Sequence, residues 1–175
     1  MCIVPMDHGT TLGPIHGIDD YFKTIRLINK AGPNAIVLHK GLLIRVSQDE
    51  ELACGNYIMH LSVSTVLSKD PQYKVLVSSV EEAVKLGALG VSIHINFGVD
   101  AEADMIKDLG TVSKTCLEWG MPLLAMVYSF KEDNNLDHMI HAARIAEELG
   151  ADIVKIAYPG TQQKTKEIID KIIFQ

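Results

Sequence analysis

A single lysine lies in the middle of an apolar, β-branched segment near the end of the chain. Lys155 is flanked by Ile153, Val154 and Ile156, and a helical pattern that ends at Gly150 precedes the segment. An ammonium group buried in such a strand is strongly destabilising unless it loses its proton, and a rigid neutral amine can form a Schiff base with a carbonyl. A lysine at a strand end can also extend its amine to water. The segment alone therefore supports both interpretations.

Two further residues have the chemistry to assist such an amine. Tyr128 ends the preceding apolar segment, and if the strands are ordered sequentially its phenol lies beside Lys155. Asp7 follows the first apolar segment and could transfer protons and tune the pKa of the lysine. Both residues also have a structural interpretation, because an aspartate can cap a turn and a buried tyrosine usually only satisfies its own hydroxyl group.

Three histidines, His39, His60 and His94, stand at the ends of other apolar segments. Three imidazoles at neighbouring strand ends could hold a metal ion. No HxH or HExxH spacing and no nearby carboxylate supports such a site. We therefore expect these histidines to hydrogen-bond to substrate or to the core, and we predict neither a metal nor a cofactor.

The elements that must position these residues follow a repeated pattern of amphipathic helix, glycine and short apolar strand. Helices are predicted over 18–31, 80–86, 103–119 and 138–149, and a glycine follows each because it relieves the left-handed conformation that ends a helix. Strands are predicted over 2–6, 35–40, 57–61, 91–96, 123–128 and around Lys155, with a further short one over 74–77. This alternation is typical of a parallel sheet that helices cover on both faces.

Polar residues at the strand ends distinguish a closed sheet from an open one. An open sheet usually carries a GxGxxG phosphate turn after its first strand, and residues 6–14 do not match it. Polar residues at every strand end meet at one mouth only if the sheet closes. We predict one α/β domain over 1–175, a (β/α)8 TIM barrel. Such barrels have about 250 residues, and only about six strand–helix units are visible, so we expect the seventh and eighth to be missing from these residues.

Composition excludes several classes of function. The net charge of −6 and the lack of a basic stripe argue against nucleic-acid binding. No apolar run is long enough to span a membrane, and no signal peptide precedes Met1. The three cysteines are widely spaced and form no CxxC motif, which is typical of reduced thiols in a cytoplasmic protein.

Six motifs in a specific order connect these residues: Val4-Pro5-Met6-Asp7-His8-Gly9, Leu38-His39-Lys40-Gly41, His60-Leu61-Ser62, Val80-Glu81-Glu82-Ala83, Val91-Ser92-Ile93-His94-Ile95-Asn96 and Gly150-Ala151-Asp152-Ile153-Val154-Lys155. Together they resemble the archaeal-type class I aldolase family, which includes fructose-bisphosphate aldolase and 2-amino-3,7-dideoxy-D-threo-hept-6-ulosonate (ADH) synthase. The resemblance covers residues 2 to about 160. It implies a (β/α)8 barrel in which Lys155 forms the Schiff base, Tyr128 donates a proton, Asp7 is the first-strand aspartate and a position near Thr11 contacts substrate.

The resemblance also bears on the substrate. Fructose-bisphosphate aldolases of this type tend to carry tryptophan where this chain has Met126, and the motifs at His39 and His60 look more like ADH synthase. We therefore expect an aldolase or transaldolase of ketose phosphates that is similar to ADH synthase, with fructose-bisphosphate aldolase as the alternative. The expected enzyme is a homo-oligomer that uses no cofactor. The expected substrate-binding residues, besides Thr11, are His8, His39, His60, His94 and Ser129.

Two departures from the family pattern keep other interpretations open. An arginine of the family is missing after Tyr128, and only Lys131 could replace it. The loops of the seventh and eighth strands, which bind the substrate phosphate in this family, are not recognisable. A metal-dependent barrel lyase or hydrolase, and a catalytically inactive ligand-binding barrel, therefore remain alternatives.

Overall fold

The computed structural model describes residues 1–130 and 135–172. Within these residues the chain alternates between strands and helices, and the predicted α/β class is confirmed. The elements are β1 (Ile3–Pro5), α1 (His8–Leu12), α2 (Tyr21–Ala31), β2 (Ala35–His39), α3 (Lys40–Val46), β3 (Tyr57–His60), β4 (Ser62–Val63), β5 (Val75–Leu76), α4 (Val80–Lys85), β6 (Gly90–Phe97), α5 (Glu102–Trp119), β7 (Leu123–Ser129), α6 (Leu136–Glu148), β8 (Ile153–Lys155) and α7 (Gln162–Lys171).

Six strands form one parallel sheet in the order β1-β2-β3-β6-β7-β8. The sheet is curled, because residues of its two ends surround a common cavity of about 330 Å³. Val37 on β2 and Leu124 on β7 line this cavity together, although two strands separate β2 from β7 in the sheet. Among the described residues the curled sheet is a half-barrel, with β1 and β8 at its edges.

The two faces of the sheet have different partners because side chains alternate along a strand. The outer face packs against the helices and forms the larger hydrophobic cluster, which includes Ile36, Leu38, Ile93, Ile95 and Val127. The inner face forms a second, smaller cluster that includes Val37, Ile58, Leu124 and Met126. The same alternation places His39, His60, His94, Tyr128 and Lys155 on the inner face.

The predicted helix ends agree with the structure. Gly32, Gly87, Gly120 and Gly150 all have positive φ angles, between 63° and 98°. Helix α2 begins at Tyr21, later than predicted, because the Asp20 side chain accepts a hydrogen bond from the Lys23 amide and caps the helix there. Among the described residues no helix is long and apolar enough to cross a membrane.

Three features were not predicted from the sequence. Helix α1 begins at His8, where a loop was expected, and α3 begins at Lys40 directly after β2. Helix α7 follows the Lys155 strand. The predicted strand 74–77 does form over Val75–Leu76, but it pairs antiparallel with β4 in a separate sheet.

We expect the substitution Gly90→Ala to destabilise the fold. A methyl group at Gly90 would lie 2.9 Å from the Pro122 carbonyl oxygen, which also accepts the 2.9 Å hydrogen bond from Val91 at the start of the β6–β7 pair. Overpacking of this kind lowers the free energy of unfolding by about 1–3 kcal/mol, and urea denaturation measures it.

The matched control is Gly110→Ala in α5. Gly110 is exposed, no atom lies within 4 Å of the added methyl group, and alanine favours helix by about 1 kcal/mol over glycine. The control is expected to unfold at higher urea concentration than the original chain. Equal shifts of the urea midpoint in the same direction for both variants would contradict the steric argument.

Candidate active site

Lys155 and Tyr128 are in direct contact on the inner face of the sheet. Strand β8 pairs with β7 so that Lys155 lies opposite Met126, and Tyr128 is two residues further along the same face. The Lys155 Nζ atom donates a hydrogen bond of 3.2 Å to the Tyr128 hydroxyl oxygen and lies 4.0 Å from the Met126 sulfur. The prediction that the phenol lies beside the amine is therefore confirmed.

His94 continues this group on β6. Its ring packs against that of Tyr128, with 4.9 Å between the centroids and 34° between the planes. The side-chain amide of Asn96 donates to the Gln72 carbonyl at 2.6 Å, so its oxygen is left to accept from His94 Nε2 at 2.8 Å. The Ser62 hydroxyl oxygen accepts from the His94 amide at 2.8 Å. His94 thus has a fixed ring orientation and a proton on Nε2.

A second group forms around Asp7 on the other side of the mouth. One Asp7 carboxylate oxygen, Oδ2, lies 3.8 Å from His60 Nε2, and His60 Nδ1 is 2.8 Å from the Ser92 hydroxyl. The His39 ring packs edge-on against His60 at 5.2 Å, and its Nε2 is 2.7 Å from the Thr10 hydroxyl. The other carboxylate oxygen, Oδ1, is buried and has no hydrogen-bond partner among the described residues.

Burial keeps the histidines of the site neutral. Burial lowers the pKa of His94 to about 4, and the positive charges of Lys74 and Lys155 act in the same direction. Burial lowers the pKa of His60 far below its usual range, against the opposing effect of Asp7, and it also lowers the pKa of His39. Near neutral pH each ring is therefore one donor and one acceptor rather than a cation.

Lys74 is a residue of this site that the sequence analysis did not identify. Its side chain is 8% exposed and donates a short hydrogen bond to the Ser64 hydroxyl oxygen. Burial lowers the pKa of Lys74, while the charge of Asp7 raises it. Lys74 precedes the apolar run 75–77 rather than lying within it, so the argument that singled out Lys155 did not apply to it.

The remaining predicted residues lie further from Lys155. His8 is exposed at the first position of α1, and the Thr11 carbonyl accepts from the Val66 amide at 3.0 Å. Ser129 follows Tyr128 and lines a cavity of about 220 Å³ beside α6, together with His138. Their contact with substrate stays a prediction, and Lys131 lies outside the described residues.

Two cavities give a ligand access to the site. One of about 510 Å³ is lined by Asp7, Thr10 and His39, and the cavity inside the curled sheet reaches Lys155. Among the described residues no group of three or more histidine, cysteine, aspartate or glutamate side chains is placed to hold a metal ion. What the geometry offers is an amine and a phenol in contact, next to neutral imidazoles and a carboxylate.

The curled parallel sheet is a half-barrel whose fold matches that of TIM-barrel aldolases, and a lysine and a tyrosine are in contact at its mouth. The sequence model of the family described as DeoC/LacD family aldolase matches residues 1–174. The chain therefore belongs to this family, and the predicted relationship to class I aldolases is confirmed.

The similar proteins include two synthases and a solved aldolase. The chain is 39% identical over 170 residues to 2-amino-3,7-dideoxy-D-threo-hept-6-ulosonate synthase of Halobacterium salinarum, covering 95% of this chain and 63% of that protein. It is 41% identical to 2-amino-4,5-dihydroxy-6-oxo-7-(phosphonooxy)heptanoate synthase of Streptomyces griseus, and the match covers 95% of this chain and 62% of that protein. An archaeal fructose-1,6-bisphosphate aldolase, solved with its catalytic lysine covalently bound to the carbinolamine intermediate, matches with a TM-score of 0.86 and 28% identity over 97% of this chain and 69% of that one. The chain thus spans somewhat under two thirds of the length of the two synthases.

The lowered pKa of His94 predicts a loss of stability in acid. The folded state disfavours the proton that the unfolded chain takes up near pH 6.5, so the stabilisation is present above about pH 6.5 and is lost as the pH falls toward about 4. Lowering the pKa of His94 from 6.5 to about 4 corresponds to about 3 kcal/mol of the free energy of unfolding. The variant His94→Gln should lose correspondingly less stability than the original chain between these pH values in urea titrations.

His16→Gln is the control for this experiment, because His16 is exposed. Carboxylate protonation affects all three proteins alike, so the quantity to compare is the slope of the free energy of unfolding against pH rather than its absolute value. Identical slopes for His94→Gln and the original chain would show that His94 does not resist protonation.

Proposed function

We propose that the chain carries the Schiff-base chemistry of a class I aldolase or transaldolase that forms or cleaves a carbon–carbon bond in ketose phosphates. The observation that supports this most directly is the 3.2 Å contact between the Lys155 amine and the Tyr128 hydroxyl at the mouth of the curled sheet. Membership of an aldolase family and similarity to a lysine-dependent aldolase support the same reaction class.

In the proposed reaction the Lys155 amine attacks the ketone carbon of the substrate. The carbinolamine that forms loses water, with Asp7 moving the proton that the leaving hydroxyl needs, and a protonated imine results. This iminium accepts the electron pair of the carbon–carbon bond as the bond breaks. Tyr128 accepts the proton of the hydroxyl group that becomes the aldehyde, and the reverse sequence forms the bond.

The neighbours of these groups suit their proposed tasks. Among the described residues the Asp7 Oδ1 atom has no hydrogen-bond partner, so in this proposal it serves the reacting hydroxyl group. Tyr128 lies between the lysine and the neutral His94 ring, which fixes the phenol without adding a positive charge beside it. His39 lines the cavity of about 510 Å³ together with Asp7, which places its ring beside a substrate bound there, whereas His60 is 4% exposed and its Nε2 faces the Asp7 carboxylate.

For the substrate we favour an ADH synthase-like pair over fructose 1,6-bisphosphate. The identities to the two synthases are 39% and 41%, against 28% to the archaeal aldolase. The name of the Streptomyces griseus enzyme describes a product with a carboxylate at one end and a phosphate beside the ketone at the other. By analogy, the donor would be a ketose phosphate and the acceptor an aldehyde with an acidic group. Fructose-bisphosphate cleavage is the alternative, and a cytoplasmic homo-oligomer remains our expectation.

Borohydride trapping tests the lysine. With dihydroxyacetone phosphate or fructose 1,6-bisphosphate present, reduction should leave a stable adduct that peptide mapping places on Lys155, and EDTA should not prevent it. Lys155→Met should abolish the adduct, whereas Lys164→Met, at an exposed lysine of α7, should leave it unchanged. A folded protein that gives no adduct, or an adduct on Lys74 instead, would refute the assignment.

The substitution Tyr128→Phe tests the proton transfer. Loss of a positioned acid–base group should lower turnover by about 100- to 10,000-fold, while Lys155 should still be trapped by borohydride because imine formation does not need the phenol. Tyr158→Phe is the control, since Tyr158 is 66% exposed. If the Tyr128→Phe variant lost turnover and the adduct in parallel, the phenol would act on the lysine itself rather than on bond cleavage.

A further inference from the structure

The short antiparallel pair β4–β5 places Lys74 toward the interior. Val63 lies opposite Val75 in this pair, so the next positions, Ser64 and Lys74, face each other. Alternation puts Ser62, Ser64 and Lys74 on one face and the two valines on the other. Val75 is 41% exposed, whereas Lys74 is 8% exposed, so the lysine face is the inner one.

This inner face is part of the mouth that contains Lys155. Ser62 binds the His94 amide through its hydroxyl oxygen, and His94 packs on Tyr128, the partner of Lys155. The charge of Lys74 contributes to the lowered pKa of His94. A chain of contacts through Ser64, β4, His94 and Tyr128 thus connects Lys74 to Lys155.

The Lys74 ammonium is incompletely satisfied by the protein. An ammonium group has three N–H donors, and among the described residues the Ser64 hydroxyl is its one hydrogen-bond acceptor. That hydroxyl donates in turn to the Pro71 carbonyl at 2.7 Å, which fixes Lys74 in place. No described carboxylate lies within 4 Å of the ammonium. Asp7 acts on this cation only at longer range, and a buried cation without a contacting carboxylate is unfavourable for folding and typical of a ligand site.

We propose that Lys74 binds an anionic group, a carboxylate or a phosphate, at the end of the acceptor aldehyde away from the carbon that reacts. The inference rests on the proposed function, because it assumes that a donor is held on Lys155. Because Tyr128 and His94 intervene in the contacts that connect the two lysines, we assign the donor to Lys155 and the far end of the acceptor to Lys74. Lys74 would thereby determine the selectivity of the enzyme for acidic over uncharged acceptors.

Acceptor selectivity tests the assignment. Dihydroxyacetone phosphate serves as donor, and the acceptors are succinic semialdehyde, glyceraldehyde 3-phosphate and butanal, which end in a carboxylate, a phosphate and a methyl group. Loss of a charge-assisted hydrogen bond predicts that Lys74→Met lowers kcat/KM for the preferred acidic acceptor by about 10- to 100-fold. The loss should lie mainly in KM, and kcat/KM for butanal should stay within about twofold.

The matched control is Lys69→Met in the same segment, because Lys69 is exposed and should change no acceptor. Lys74→Arg keeps the charge and should restore part of the selectivity. Methionine fills a similar volume without a buried charge, so Lys74→Met should unfold at a temperature no lower than the original chain. Equal losses for acidic and uncharged acceptors would overturn the proposal and indicate a structural role.

Calorimetric titration with inorganic phosphate and with succinate separates this inference from the proposed function. At least one anion should bind to the original chain and to Lys69→Met, and should bind about tenfold more weakly to Lys74→Met. Which of the two binds distinguishes the phosphate from the carboxylate. Unchanged anion binding in Lys74→Met, on a protein that gives the Lys155 adduct, would overturn the role of Lys74 alone. Absence of the adduct from a protein that binds the anion through Lys74 would instead overturn the aldolase reaction.

Discussion

The register of the parallel strands is the constraint on which the rest of the site depends. Lys155 lies opposite Met126, so Tyr128 follows on the same face, and His39 lies opposite His60. Side chains alternate with a period of two, so a slip of one residue would turn each of these groups toward the helices. The hydrophobic pattern prevents such a slip, because residues such as Ile93 and Ile95 must remain on the helix-covered face.

The polar groups of the mouth are tolerated because the surrounding protein satisfies some of them and neutralises others. The buried imidazoles of His60 and His94 lose their charge, since burial lowers their pKa, and each pairs with a hydroxyl or amide group. Within the part of the chain that the structure describes, the Lys74 ammonium and the Asp7 Oδ1 atom are not fully satisfied in this way. Incomplete satisfaction disfavours folding but leaves hydrogen-bonding capacity for a ligand, which is the usual compromise at a binding site.

The sequence predicted the fold class and the main contact for a physical reason. Glycines after amphipathic helices and apolar strands are local signals, and sequential parallel strands place neighbouring segments side by side. Lys155 and Tyr128 on adjacent strands follow from these signals alone. Because side chains alternate along a strand, Ser129 faces the helices when Tyr128 faces the mouth, although both residues were expected at the mouth.

Other features depended on contacts between distant segments and could not be predicted in this way. Lys74 reaches the mouth because β5 pairs with β4, and the loop between these short strands contains no strong signal for that pairing. The network from Gln72 through Asn96 to His94 likewise joins residues from different elements. Helix α1 has no side-chain cap at Asp7, so the usual signal of a helix start is missing there.

The layers inside the curled sheet explain why the lysine at this position is suited to imine chemistry. Leu124 and Ile153 lie opposite each other one layer below Lys155 and give the cavity an apolar lining there, and the Met126 sulfur lies 4.0 Å from the amine on the next strand. Above the amine the inner side chains become polar, with Tyr128 first. The amine therefore lies where an apolar floor meets proton donors and acceptors. In the proposed reaction the polar side would supply the protons that each step requires.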